Sequence, residues 1–144
     1  MTKTYRIDRS KWVVQADDVP EPSFLDDDTL GHSRLLNPQG RMCCLGHICK
    51  QIGYTDNALF GAFMPNGLTY IAKARIAGLV NDPSSSTNNS KLASAAAQLN
   101  DNRELTVAET ERKLVDLFAD NDITLEFHGV LHASFPWSKD TSNV

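Results

Sequence analysis

The sequence predicts an α+β fold: a single compact domain with about four helices packed on a small sheet formed by short strands from the N-terminal and C-terminal regions. Three observations support this prediction. Alternating apolar residues indicate a strand near each end of the chain. Between these ends, apolar residues recur with helical spacing in several segments. The length of 144 residues suits one domain, which we place at residues 1–132, followed by a C-terminal tail at 133–144.

The first strand is predicted over residues 3–8, where Tyr5 and Ile7 share one face. The chain then becomes acidic, and residues 15–31 contain no Lys or Arg. Because Pro20 and Pro22 disfavour a helix, we predict a solvated acidic loop over 15–31. Its carboxylates belong to Asp17, Asp18, Glu21, Asp26, Asp27 and Asp28.

The first helix is predicted over residues 42–52, between an Asn-Pro-Gln-Gly turn at 37–40 and Gly53. On a helical wheel, its two faces differ in polarity. The apolar arc holds Met42, Cys44, Leu45, Ile48, Cys49 and Ile52, and the opposite side holds Cys43, His47, Lys50 and Gln51. A short turn is expected over 55–60.

Three further helices follow from the same periodicity. A helix starting at Asn66 is expected to bury Leu68, Ile71, Ala72, Ile76, Leu79 and Val80, and a helix over 90–99 to bury Leu92, Ala95, Ala96 and Leu99. Thr106 and Glu109 form a capping box that opens a helix ending at Ala119. Its buried stripe is Val107, Leu114, Leu117 and Phe118. Residues 123–127 then alternate as the closing strand.

Charge and composition exclude several classes of protein. The net charge of −4 disfavours direct nucleic-acid binding, which usually needs a basic face. No apolar run approaches the roughly 20 residues that span a bilayer, so we expect no membrane association. Three cysteines without a secretory signal indicate reduced thiols and a cytoplasmic location. The usual nucleotide-binding, hydrolase and zinc-protease motifs are absent from the sequence.

Cys43 and His47 are the candidate catalytic residues. They lie one helical turn apart, with Cys43 near a helix N-terminus and Lys50 close by. These influences lower a thiol pKa, and a thiolate beside an imidazole is the minimal nucleophile–base pair. The alternative is that both residues are structural. Cys44 and Cys49 are expected to be small core residues.

Zinc binding is another hypothesis from the same region. Cys43 or Cys44 with His47 could supply two ligands, and His128 with His132 two more. However, the two C-terminal histidines follow a predicted strand, where residues i and i+4 lie about 13 Å apart. We therefore predict no metal site and no cofactor.

Two carboxyl-bearing segments also have functional and structural interpretations. Glu111 falls inside the apolar arc of its helix, either as an acid with a shifted pKa or as a side chain that reaches past the arc to solvent. The Asn-Asp-Asn segment at 100–102 is expected to cap the preceding helix and turn the chain. A catalytic Asn or Asp there is the alternative.

Several segments resemble small phage and prophage proteins of unknown function. The similar features are Lys11-Trp12, the Leu-Leu-Asn turn at 35–37, and the Met-Cys-Cys-Leu-Gly motif at 42–46. An Asn-Asp element, a charged helix and a closing strand follow, as they do in those proteins. The resemblance implies no known activity. The acidic stretch and the His-containing tail depart from the family pattern.

The resemblance and the absence of enzyme motifs lead to one functional hypothesis. We expect a phage or mobile-element accessory protein that binds a host protein or protein–nucleic-acid complex in the host cytoplasm. The target could be a defence system such as a CRISPR effector. The six acidic residues of 15–31 and Trp137 in the tail are the predicted partner-binding residues. The alternatives are a cysteine-dependent enzyme and a small zinc-binding protein.

Overall fold

The structure is a computed structural model that describes residues 3–14, 35–37, 40–60, 62, 64–68, 70–80 and 89–131. Within these ranges the chain forms five α-helices and a two-stranded sheet in an α+β arrangement. The predicted fold class is confirmed. The acidic carboxylates, Trp137 and His132 lie outside the described residues.

The sheet joins the two ends of the described chain. Strands β1 (Lys3–Asp8) and β2 (Ile123–His128) pair in parallel, with Lys3 opposite Ile123 and Asp8 opposite His128. In each strand, alternate side chains are buried, because one face of the sheet packs on the core. Both strands match the sequence prediction to within one residue.

Two helices pack directly on this sheet in the described ranges, and a third packs on both of them. Helix α1 (Cys44–Gln51) contacts β1, and α5 (Val107–Ala119) contacts β2. Helix α4 (Lys91–Asp101) lies against both α1 and α5. The capping box that opens α5 is confirmed: the Thr106 hydroxyl accepts from the Glu109 N–H, and the Glu109 carboxylate accepts from the Thr106 N–H.

The middle segment, residues 54–80, differs from its prediction. The turn expected at 55–60 contains helix α2 (Asp56–Phe60), and the helix expected from Asn66 is replaced by a 3-10 turn (Pro65–Gly67) and the five-residue helix α3 (Ala72–Ile76). Ala72 and Ile76, predicted to be buried, are exposed.

A tyrosine explains why α3 starts late. The Tyr54 hydroxyl donates to the Tyr70 carbonyl and accepts from the Ala74 N–H. In a continuous helix this carbonyl and this N–H would bond to each other. The hydroxyl is inserted between them, so it satisfies both groups where a helical turn was predicted.

Candidate functional site

The candidate catalytic pair lies at the start of α1, but Cys43 is not on an exposed helix face. The helix begins at Cys44, and Cys43 is the N-cap with an extended backbone. The helical wheel therefore does not apply to Cys43, and its side chain is buried. His47 is buried as well, because α1 is covered by β1 on one side and α4 on another. The predicted polar face of this helix was wrong at both positions.

Burial reverses the expected acidity of the thiols. Loss of solvation raises the pKa of Cys43 to about 12, outweighing the backbone N–H groups of Leu45 and Gly46 that favour the thiolate. The same desolvation raises the pKa of Cys49 to about 12 and the pKa of Cys44 well above its usual value. All three thiols are therefore protonated at neutral pH. The lowered pKa expected for Cys43 was wrong.

His47 interacts with the backbone of Cys43 and not with its thiol. The His47 Nδ1 lies 3.1 Å from the Cys43 carbonyl oxygen, and because a carbonyl only accepts, Nδ1 carries the proton. Burial lowers the pKa of His47, so the ring is neutral at pH 7. Its Nε2 is then unprotonated and buried, and it makes no hydrogen bond in the described part of the chain, although the backbone of Asp8 lies near enough to favour the protonated ring.

The His47 ring lines a cavity of about 360 Å³ between α1 and the ends of the two strands. We call it the His47 cavity. It is lined by Arg6, Asp8, Lys11, Met42, His47, Lys50, Gln51 and His128. Among the described residues of this lining, three cationic side chains and two imidazoles surround one carboxylate, that of Asp8.

Gln51 fixes one wall of the His47 cavity. Its Oε1 accepts from the Arg6 N–H at 2.9 Å, and its Nε2 donates to the carbonyls of Arg6 and His47 at 2.7 and 2.9 Å. The side-chain amide therefore pairs with β1 as a neighbouring strand would, and it ties that strand to α1.

Ion pairs and hydrogen bonds hold the charged side chains that line the His47 cavity. The Arg6 guanidinium bonds Glu126 at 3.1 Å, and Lys50 bonds Asp56 at 2.7 Å. Asp8 accepts from the N–H and the hydroxyl of Ser10, which lowers the pKa of that carboxyl. Lys11 and His128 also favour the Asp8 carboxylate.

Asn100 sets the position of α1, a role that the sequence did not predict: the segment was expected to cap and turn the chain, with a catalytic Asn or Asp as the alternative. It lies in the last turn of α4 with no exposed surface. Its Oδ1 accepts from the Trp12 indole N–H at 2.8 Å and from the Cys44 N–H at 3.1 Å. Its Nδ2 donates to the Val13 carbonyl at 2.7 Å. Each polar atom of this amide is used structurally.

Glu111 is an ion-pair partner and not an isolated acid. Its two carboxylate oxygens accept from Arg9 Nε at 2.6 Å and from Arg9 Nη2 at 3.0 Å. Both side chains are largely buried, and this pairing raises the pKa of Arg9. The Arg9 guanidinium also lies 5.8 Å from the Phe127 ring centre. The pair joins the end of β1 to α5.

The zinc hypothesis finds no geometric support in the residues that the structure covers. No group of three or more His, Cys, Asp or Glu side chains there is arranged to hold a metal ion. His47 and His128 line the same cavity, whereas Cys43 and Cys44 are buried beneath the helix start.

A second recess lies in the middle segment and is apolar. It has a volume of about 610 Å³ between α2 and α3. We call it the Tyr70 groove, lined by Gly53, Tyr54, Thr55, Asn57, Ala58, Tyr70, Ala72 and Lys73. Tyr70 is 80% exposed, and Ile76, at the end of α3, is 79% exposed. The sequence prediction placed no site here, because it expected a short turn over 55–60 and a continuous helix from Asn66 with Ala72 and Ile76 on its buried face.

Comparisons with known proteins give no relative for this chain: no protein-family model, no curated protein and no solved structure matches it. None of the helices in the described ranges is long and apolar enough to cross a membrane.

Proposed function

We propose that this chain is a phage or mobile-element accessory protein that acts by binding a host protein, and that the partner belongs to a defence system such as a CRISPR effector. The phage-like sequence features at 11–12, 35–37 and 42–46 support the source. The observation that carries the binding function is the Tyr70 groove.

The Tyr70 groove has the properties of a protein-binding surface. A groove of this volume is large enough to receive an inserted side chain. Tyr70 stands exposed at its edge and Tyr54 forms part of its floor. Tyrosine is enriched among residues that dominate binding energy, since it buries a large ring and keeps a polar hydroxyl.

The alternative of a cysteine-dependent enzyme is disfavoured by the same structure. A thiol with a pKa of about 12 is almost entirely protonated at pH 7, and the thiolate is the nucleophilic form. The His47 Nδ1 proton is directed at a backbone carbonyl, so the ring does not act as a base toward Cys43.

Affinity capture with matched variants tests the proposal. The tagged wild type, Tyr70→Ala and Val130→Asp are used as baits in host lysate. Val130 is 72% exposed but does not line the groove, so it controls for surface changes. We expect a stoichiometric host protein with the wild type and Val130→Asp, and its loss with Tyr70→Ala. Reconstitution with purified partner then gives the affinity.

Kinetic measurements on the reconstituted complex separate the groove from the acidic stretch. Loss of a buried aromatic anchor speeds dissociation, so Tyr70→Ala should raise the dissociation rate. Neutralising Asp17, Asp18, Asp26, Asp27 and Asp28 to Asn should slow association and weaken its salt dependence. Trp137→Ala tests the tail in the same way as Tyr70→Ala tests the groove. Capture of the same proteins by all baits, or of none, contradicts the proposal.

A further inference from the structure

We propose that the His47 cavity is a binding site for a phosphate group, in which a protonated phosphate oxygen donates to His47 Nε2 and charged oxygens contact Lys11 and Lys50. The ligand is inorganic phosphate or a small phosphomonoester. This inference does not depend on the proposed protein partner.

The unused acceptor on His47 is the first reason. Only 5% of this residue is exposed, and a buried polar atom without a hydrogen bond destabilises the folded state. The Nδ1 proton is committed to the Cys43 carbonyl, so Nε2 offers a lone pair in the free protein. A ligand that brings an O–H to this atom satisfies it.

The cationic lining is the second reason. Arg6 uses its Nε toward Glu126, and Lys50 uses one N–H toward Asp56. A guanidinium has five N–H donors and an ammonium has three, so both keep further donors for an oxyanion. Lys11 adds a third cation to the same lining. The Asp8 carboxylate opposes an anion, but it is bonded to Ser10 at the rim.

Proton chemistry selects phosphate over other anions. A phosphomonoester has a second pKa of about 6, close to the value of about 6.5 for an unperturbed imidazole. The two groups can therefore share one proton between an oxygen and Nε2 near neutral pH. Sulfate and carboxylates carry no proton at this pH, so they can accept from Nε2 only after the ring takes up a proton, which the lowered pKa of His47 disfavours.

The cavity size and its mouth fit such a ligand. A volume of about 360 Å³ lies at the lower end of the range of about 300–1,000 Å³ for small-molecule sites. It can hold a phosphate with a short organic substituent. His128 lines the cavity and is exposed, and exposed side chains change rotamer within nanoseconds, so this part of the lining can adapt to a ligand.

Proton linkage gives the site a pH signature. Asp8 and its backbone favour the charged His47 ring, while His128 opposes it. Lys11, Lys50 and Arg6 also line the space and disfavour a further positive charge. A bound phosphate supplies the missing negative charge, so the pKa of His47 should rise on binding. Neither free group holds this proton above about pH 7, so binding should take up a proton there, and the uptake should diminish as the pH falls through about 6.

Titration calorimetry and NMR test the site on the whole chain. The probes are inorganic phosphate, glycerol phosphate and, as a control, sulfate at matched ionic strength and about pH 6.5, where a phosphomonoester still holds part of its second proton. We expect both phosphates to bind about tenfold more tightly than sulfate, as a hydrogen bond to a charged group implies. A substituent that fits should make glycerol phosphate the tighter ligand, and weaker binding of it would identify inorganic phosphate as the source.

Variants assign the binding to His47. His47→Asn places an amide N–H where Nδ1 was, so it keeps the bond to Cys43 and removes Nε2. It should weaken phosphate binding about tenfold and abolish the preference over sulfate. Lys11→Gln should weaken it about threefold, as expected for a partly exposed charge. Lys73→Gln, in the Tyr70 groove, should leave binding unchanged.

A measurement on the wild type does not depend on a variant folding. The imidazole resonances of His47 are titrated against pH with and without phosphate. A higher pKa in the presence of phosphate, with proton uptake in calorimetry, supports the site. An unchanged His47 titration, or equal binding of phosphate and sulfate in wild type and His47→Asn, overturns the inference. No binding of either phosphate overturns it as well.

Discussion

Two regions of the molecule differ in how much of their surface is buried. One is the sheet–helix core, which comprises β1, β2, α1, α4 and α5, and the other is the middle segment. In the sheet–helix core, Asn100 and the Arg9–Glu111 pair make long-range bonds between elements and stand among buried side chains. In the middle segment, the helices have five residues each, and Tyr70 and Ile76 face solvent. The core therefore specifies the fold, and the middle segment leaves apolar surface available for binding.

The largest expected effect comes from Asn100. Asn100→Leu keeps the number and branching of the side-chain heavy atoms but leaves the Trp12 indole N–H, the Cys44 N–H and the Val13 carbonyl buried without this partner. We expect a loss of about 3–5 kcal/mol in the free energy of unfolding, measured by urea denaturation. Gln98→Ala, an exposed position on the same helix, is the control and should change stability by less than about 0.5 kcal/mol. Similar losses in both variants would show that Asn100 is not the link between these elements.

Substitutions at two glycines, one in each region, compare how tightly the sheet–helix core and the middle segment are packed. A Cβ at Gly46 would overlap the Leu35 carbonyl, because α1 passes directly over that backbone. At Gly67 the nearest atom to a Cβ is Ala62 Cβ at 3.7 Å, an ordinary contact. Gly46→Ala should therefore cost about 3 kcal/mol, and Gly67→Ala less than about 0.5 kcal/mol, in the same denaturation experiment. If Gly67→Ala is as damaging as Gly46→Ala, the middle segment is packed as tightly as the core.

Local signals explain what the sequence could predict. The capping box at Thr106 and Glu109 spans four residues, so its geometry follows from sequence alone. The alternation in β1 and β2 likewise predicted both strands, although it could not predict that they pair in parallel across 120 residues of sequence. A local sequence pattern predicts a strand or a helix more reliably than it predicts which other element that strand or helix pairs with.

Long-range contacts explain the rest. Asn100 bonds to residues 56 to 88 positions away, and nothing in its own segment indicates those partners. The shortened α3 depends on the hydroxyl of Tyr54, 16 residues from Tyr70. The helical wheel placed Cys43 and His47 on a polar face because it considers one helix alone. It does not include β1 and α4, which cover that helix. The His47 cavity combines residues from both ends of the chain for the same reason.

The smallest expected effect is the pH dependence of stability from His47. Its pKa is lowered in the folded state, so the unfolded chain binds a proton first as pH falls. The free energy of unfolding should therefore be highest above about pH 6.5 and decline from there toward the folded pKa. The lowered pKa of the Asp8 carboxyl acts in a separate window, below about pH 4.

Urea denaturation between pH 5 and pH 8, in buffers free of phosphate and sulfate, measures this dependence. The wild type should lose stability as pH falls through this range, and His47→Asn should lose less, because the substituted side chain does not titrate. Tyr70→Ala, in the middle segment, should retain the wild-type slope since it leaves His47 in place. Parallel curves for wild type and His47→Asn would mean that His47 titrates alike in the folded and unfolded chain. That result would contradict the burial of the His47 imidazole. At this position, the distinction between a closed core and an open middle segment would then not hold.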